Sequence, residues 1–465
     1  MGSFAYIRLY CNKLLVYYIF LKWSYNESYD IPYFGKAVRL MDGKTTKPRI
    51  VILGGGIAGI RAARKLANEP VDVLIIDHNN YQVFQPLLYQ VATSMLSADE
   101  VIYPIRGFFH KAPNVNFLLA EVTGIDSEAQ AVLTDHGSIP YDYLIVSLGA
   151  TPNFFGSKSI EANSLPLKTL VDSIEIRSHV LKVFEQAANE KDPAKRKALL
   201  TFVFVGAGPI GVEGSGGLSE LIYDVFRKEY HTVDFSEVEI HLIGADPGVL
   251  MMMPEKLREE TVRVLQKKKV AVQCSMMVTD YDGDTLFYKP FSAPKDAPLQ
   301  EIRTKTVVWA AGVRPVDCLE GFEAEKDRGR RIVVDATMRA TGLENVYVAG
   351  DCASFIPPGE EHPLPTLAPV ALAEGDVAAA NILHQIKDEP PEHLNYKSRG
   401  VMAIIGNSEA VMAAGPLVGR GFLAWSAWLW IHLLTKAGFH ANVSVSFKWF
   451  FNYFFDTRLG RMITR

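Results

Sequence analysis

A strand that runs into Gly-x-Gly-x-x-Gly and then into a helix is written twice in this chain, and the repetition limits the fold more than any other feature. Arg49 to Leu53 is a β-branched apolar run that ends in Gly54-Gly55-Gly56-Ile57-Ala58-Gly59, and a helical pattern rich in Ala and Arg follows. A second apolar run, Val71 to Ile76, ends in Asp77 and completes a βαβ unit. About 150 residues later, Leu200 to Val205 leads into Gly206-Ala207-Gly208-Pro209-Ile210-Gly211, with Val238 to Ile243 as the next strand. Glycines at such a turn let the backbone approach a pyrophosphate, whose charge then rests on amides at the helix N-terminus. Gly54, Gly56 and Gly59, with Gly55 between them, make one candidate cradle; Gly206, Gly208 and Gly211 make the other. Asp77 stands where a carboxylate can accept hydrogen bonds from a ribose 2′-hydroxyl. The matching tip of the second unit reads Gly244-Ala245-Asp246, so selection of a 2′-hydroxyl over a 2′-phosphate is left open there.

Between the two units, Tyr141 to Val146 reads as a buried strand ending at Gly149-Ala150-Thr151-Pro152, and Ile174 to Leu199 as a polar helix broken near Asp192-Pro193. Val307 to Ala311 and Asn345 to Ala349 are further strands, closing on Gly312 and on Gly350-Asp351-Cys352-Ala353. This order predicts an α/β chain with two Rossmann-like dinucleotide-binding domains, the second inserted in the first. Flavoenzymes of that plan hold FAD in the outer fold and a nicotinamide in the inserted one, and Asp351 is placed to hydrogen-bond a ribityl or phosphate oxygen. The expected parts are an N-terminal extension (1–47), an FAD-binding domain in two pieces (48–165 and 306–389), an NAD(P)H-binding domain (166–305) and a C-terminal membrane-association region (390–465).

The 465 residues can bury a large core, and 48% hydrophobic with 22% charged residues is the composition of a globular chain. A net charge of -4 gives no reason to expect nucleic acid as a partner. Cys11, Cys274, Cys318 and Cys352 form no CxxC pair, which argues against a disulfide framework, a metal site or a redox dithiol. They read as reduced thiols. Leu14 to Phe20 is too short to span a bilayer; it fits an interfacial anchor, or else translation begins at Met41.

The C-terminal end is strongly aromatic. Phe422 to Leu434 carries Trp425, Trp428 and Trp430 without a formal charge and is followed by Lys436; Phe447 to Phe455 contains Lys448 and Trp449 and runs toward Arg458, Arg461 and Arg465. Tryptophan prefers the headgroup level and basic residues are drawn to anionic lipid, so these segments are expected to lie in a membrane surface as monotopic helices. A chain cut after Gly419 is expected to keep flavin reduction and to leave the membrane.

Phe84-Gln85-Pro86-Leu87-Leu88-Tyr89-Gln90-Val91-Ala92-Thr93, Gly208-Pro209-Ile210-Gly211-Val212-Glu213, Trp309-Ala310-Ala311-Gly312-Val313-Arg314, Gly350-Asp351-Cys352-Ala353 and the aromatic tail together resemble the type II NADH:quinone oxidoreductases, the non-proton-pumping NADH dehydrogenases of respiratory electron transport. The resemblance runs from about Pro48 to Arg465. It implies non-covalent FAD, NADH as donor (NADPH remaining possible), ubiquinone or menaquinone as acceptor, peripheral attachment to the cytoplasmic side of the cell membrane, and a homodimer. It assigns flavin contacts to Gly54, Gly55, Gly56, Gly59, Asp77, Gly149, Gly312, Gly350 and Asp351. Gly206, Gly208, Gly211 and Glu213 fall to NADH, with Glu213 near nicotinamide and flavin as the catalytic group. Gln85, Pro86, Ala368, Pro369, Ala371 and Leu372 fall to the quinone, and no residue to a metal.

Three departures from the family pattern stand out. Ala373 replaces a glutamine beside the quinone, Gly244 replaces the acid at the second strand tip, and Gly214-Ser215-Gly216-Gly217 replaces Leu and Ala. Helix-interior glycines at about 1 kcal/mol each are expected to loosen that helix. Two other functions therefore compete: a sulfide:quinone oxidoreductase using Cys318 or Cys352, and a catalytically weakened nucleotide-binding flavoprotein.

Overall fold

The computed structural model describes residues 47–455, 458 and 460–463. The sequence expectations for Leu14 to Phe20, Met41, Cys11 and Arg465 lie outside the described residues.

The chain enters the core with β1 (Arg49–Leu53), turns into α1 (Ile57–Leu66) and returns as β2 (Asp72–Asp77). β3 (Val115–Leu119) and β4 (Tyr143–Val146) extend the same sheet. The chain then leaves it for α2 (Leu170–Asn189), β5 (Thr201–Val205), α3 (Pro209–Glu220), β6 (Glu239–Ile243), β7 (Val270–Gln273) and β8 (Thr306–Trp309). It comes back as β9 (Val346–Val348), which pairs with β4. The first sheet has the order β9-β4-β1-β2-β3; the second places the short strand Leu165–Pro166 beside β8-β5-β6-β7. Every pairing in both sheets is parallel. Parallel sheets are covered on both faces, which is why β1 and β5 are buried at every position and apolar after their first residues, Arg49 and Thr201.

The two passages between the sheets lie side by side. Ala150–Pro152 pairs antiparallel with Val313–Pro315, so the outgoing and returning chains brace each other. Each passage begins on a glycine in the left-handed region, Gly149 at φ +73° and Gly312 at φ +75°. A side chain would strain both turns.

After α4 (Ala368–Lys387) an antiparallel sheet forms from β10 (Val401–Gly406), β11 (Glu409–Ala414) and β12 (Leu417–Arg420), followed by α5 (Gly421–Thr435) and α6 (Phe439–Phe455). This region is built into the molecule, because Trp428 and Trp449 are buried in the same cluster as Phe184, Phe202 and Phe204 of the second sheet. The four-residue stretch at 214–217 corrects the expectation of a loosened helix. A Cβ at Gly216 would stand 2.0 Å from the carbonyl oxygen of Ile405, and one at Gly214 would stand 2.7 Å from the Phe204 ring. Their propensity cost is offset by close packing of α3 between β5 and β10. The winding does change beyond them: Leu221–Phe226 is a π-helical turn directly continuing α3.

Candidate functional site

The two glycine turns are built on the same steric plan. Gly54 at φ +94° and Gly206 at φ +113° lie against the backbone of the neighbouring strand's end, with Cβ positions 2.3 Å from the Ser147 carbonyl oxygen and 2.6 Å from that of Ala310. Gly59 and Gly211 sit so close to the first glycine of their own turn that a Cβ would come within 1.9 and 1.8 Å of its carbonyl oxygen. The middle glycines differ: at Gly56 and at Gly208 no atom lies within 4 Å of the Cβ position. Packing thus demands the outer glycines, whereas the middle one opens onto free space where a phosphate can approach the helix amides. Both turns fit a dinucleotide pyrophosphate. Gly208→Ala is expected to raise the NADH KM about tenfold with FAD content unchanged, since the methyl enters ligand space and not the protein. Loss of flavin from this variant would refute the division of the two cradles.

Asp77 at the tip of β2 is tied to the first turn, accepting at 2.6 Å from the Gly55 amide and at 2.6 Å from the Asn79 amide. At the second tip, a Cβ on Gly244 would meet the Ala207 Cβ at 2.6 Å, so the turn excludes any side chain there. Asp246, two residues on, is exposed. The missing acid therefore has a steric cause.

Beneath the first cradle, β9 delivers Gly350 (φ +81°) and Asp351 beside the N-terminal half of α4. A Cβ on Gly375 would lie 2.5 Å from the Ala58 carbonyl oxygen, so α1 and α4 touch backbone to backbone. That approach brings the buried Glu374 carboxylate under the turn, where it accepts from the Gly350 amide at 2.6 Å. Burial pushes Glu374 up to about 7, against the stabilising amide. Asp351 pairs with Lys168 Nζ at 2.8 Å. Gly149 and Gly312 flank the passages described above, and Gly149 opens on free space. Lys168 and Glu374 were missed by motif reading: Lys168 lies outside any glycine motif, and Glu374 reads as an ordinary helical acid.

Glu213 lies on α3 and is wholly buried, its Oε1 accepting from the Ile404 amide of β10 at 3.2 Å. Burial pushes it up to about 8, so it carries a proton at neutral pH. Tyr89, on the short helix Leu88–Ala92, is buried close enough that Glu213 helps raise its pKa, after burial itself. Gln90 donates to the Tyr89 hydroxyl at 3.0 Å and accepts from the Trp449 indole at 2.8 Å. A hydrogen-bonded line thus runs from the C-terminal helices through Gln90 to the Tyr89 hydroxyl, which lies within the electrostatic reach of the acid on α3. Of the residues assigned to the quinone, Gln85, Pro369 and Leu372 are exposed, Pro86 and Ala368 are half-buried, and Ala371 is packed beneath Gly350.

Cys318 and Cys352 have no partner sulfur among the described residues, and burial pushes their thiols up to about 11 and about 12. Burial thus disfavours the thiolate, the form in which sulfur acts as a nucleophile. Among the described residues no group of side chains is arranged to hold a metal ion.

Two parallel dinucleotide sheets, one interrupting the other, with an open cradle on each, define a pyridine-nucleotide flavoprotein reductase; the family model for pyridine nucleotide-disulphide oxidoreductases matches residues 48–375. Within that class, the chain belongs to the type II NADH:quinone oxidoreductases. It is 35% identical over 425 residues to the type II NADH:quinone oxidoreductase Ndh of Mycobacterium tuberculosis, covering 89% of each chain. It is 32% identical over 381 residues to the type II NADH:quinone oxidoreductase of Staphylococcus aureus, covering 80% of this chain and 92% of that one. Among solved structures it resembles NDH2 of Plasmodium falciparum in complex with NADH, with a TM-score of 0.80 at 19% identity over 90% of this chain and all of the other. A sulfide:quinone oxidoreductase from Aquifex aeolicus shares the fold at a lower TM-score of 0.65.

Proposed function

We infer that the chain passes electrons from NADH through FAD to a membrane quinone without pumping protons. The observation that carries this is the pair of open glycine cradles in a member of this family, one on each sheet. Bound FAD would supply the redox chemistry, accepting hydride and passing on two electrons. Gly54, Gly55, Gly56, Gly59 and Asp77 would hold its adenosine diphosphate half, and Gly149, Gly312, Gly350 and Asp351 its flavin half. Lys168 and Glu374 join this set as partners of Asp351 and Gly350. Gly206, Gly208 and Gly211 would hold NADH, with Glu213 carrying a proton between donor and acceptor. Gln85, Pro86, Ala368, Pro369, Ala371 and Leu372 are the proposed quinone side; Ala373, partly buried against the core, offers no hydrogen bond to a quinone carbonyl.

The protein is read as peripheral to the membrane. No helix among the described residues is long and apolar enough to cross a bilayer. Leu423, Trp430, Leu434, Phe447 and Phe450 instead present apolar side chains outward from α5 and α6. Three of the basic residues that the sequence assigned to lipid have carboxylate partners within the protein. Arg458 is buried against Glu220, Lys448 pairs with Glu100, and Arg461 pairs with Glu229. A homodimer and the cytoplasmic face complete the proposal, supported by the family resemblance.

Anaerobic titration tests it. NADH is expected to bleach the flavin and a soluble quinone to restore its colour. With no acid at Gly244, NADPH is expected to reduce the same flavin with kcat/KM within roughly 100-fold of NADH. A colourless protein, or a flavin untouched by either nucleotide, would end the proposal.

A further inference from the structure

The helix that carries Glu213 is gripped from outside the nucleotide fold. Ile404 binds the Glu213 carboxylate, and Gly216 lies against the Ile405 carbonyl, both from β10. One turn further on, the grip is taken over by the C-terminal tail. Arg458, only 5% exposed at its side chain, donates at 2.9 Å to the carbonyls of Thr93 and Gly217 and at 2.9 Å to Glu220. Glu220, also buried, accepts in addition from Lys268 at 2.6 Å and from the Asn407 amide. One guanidinium and one carboxylate thereby join the end of the Leu88–Ala92 helix, α3, the hairpin after β10 and the tail.

The placement is informative because α3 gives way to π winding one residue after Glu220. A π turn is a weak point in a helix, found often where a helix must hold or shift a functional group. Gly217, whose carbonyl Arg458 binds, lies one turn before that point. Ordinary packing of a tail would need no charged group here, and a buried ion pair is a costly way to add stability alone.

We propose that Arg458 is a positioning residue for the NADH half-reaction, fixing α3 and with it Glu213 and the Gly208 cradle. α5 and α6 pack through Trp428 and Trp449 into the same buried cluster as Val212 and Leu218 of α3, so on this proposal seating those helices on a lipid surface would steady the same contact. The inference rests on the reading of α3 as the NADH helix, and it replaces the expectation that a chain cut after Gly419 keeps flavin reduction.

Arg458→Met and Arg458→Lys in the full-length, FAD-loaded protein test it. The methionine variant is expected to bind NADH about tenfold more weakly, while reoxidation of dithionite-reduced flavin by a soluble quinone stays within about twofold; lysine recovers most of the affinity. A fall in melting temperature with unchanged NADH affinity, or equal loss of both half-reactions, would show a merely structural role. Should the methionine variant fail to fold, hydrogen exchange on the wild-type holoenzyme decides. Amides of residues 209–226 are expected to exchange about threefold more slowly when anionic vesicles are present. Unchanged exchange in a sample that cosediments with the vesicles overturns the proposal. If NADH fails to reduce the wild-type flavin at all, the assignment of α3 has failed instead.

Discussion

Glu213→Gln is expected to slow NADH:quinone turnover by about 100-fold or more while FAD stays bound. NADH delivers a hydride, which brings two electrons and one hydrogen, and a quinol needs a second proton. Glu213 is buried on α3, and burial pushes it up to about 8, so at neutral pH its carboxyl holds such a proton away from water. Glutamine keeps the oxygen that accepts from the Ile404 amide but has no proton to give. The rate profile of the native protein should therefore break near pH 8, and the variant should lack that break. Stability should move the opposite way. The folded-state pKa lies above the ordinary carboxylate value, so the stability tied to the protonated group is full below pH about 4.5 and is lost as pH rises toward 8. Glutamine escapes that loss, and at pH 8 the variant should melt at a higher temperature than the native protein. An unchanged rate with the break still at pH 8 would remove Glu213 from the chemistry.

What could be read from the sequence was what local chemistry writes. A glycine that must adopt a left-handed turn, or whose Cβ would fall within 2 Å of a carbonyl oxygen, leaves its signature within six residues, and so Gly54 to Gly59 and Gly206 to Gly211 were legible with their strands. Asp77 and Gly350-Asp351 were legible for the same reason, each closing a strand. Partners far away in sequence were not. Lys168 meets Asp351 across 183 residues, Arg458 meets Glu220 across 238, and Lys448 meets Glu100 across 348. A lysine or arginine beside tryptophans carries no mark that says whether a lipid phosphate or a distant glutamate will neutralise it. The glycines at 214, 216 and 217 misled similarly, because their reasons are Phe204 on β5, Ile405 on β10 about 190 residues downstream, and Thr93 more than 100 residues upstream. Helix propensity was outvoted by a packing contact that the local sequence does not encode.

Leu423→Asp combined with Leu434→Asp is expected to abolish retention on lipid vesicles, lowering the partition by about 100-fold or more. These two leucines are 80% and 78% exposed, the most open of the large apolar residues on α5. On the same helix Trp428 is 1% exposed and packs toward Trp449, with ring centroids 6.1 Å apart. The helix thus spends one face on the core and leaves the other apolar in water, an arrangement that gains only if something covers it. Each leucine withdrawn from water contributes on the order of 1.5–3 kcal/mol, and an aspartate in its place adds a desolvation cost at the interface. Added salt should weaken binding little, because Lys448, Arg458 and Arg461 already have carboxylate partners within the protein. NADH oxidation with a soluble quinone should stay near the native rate, since the changed residues face away from α3. A second copy of the chain is the other occupant this face could take. Sedimentation velocity without lipid separates the two: a double variant that stays on vesicles, or one that leaves them only because a dimer has fallen apart, would refute lipid as the partner of α5.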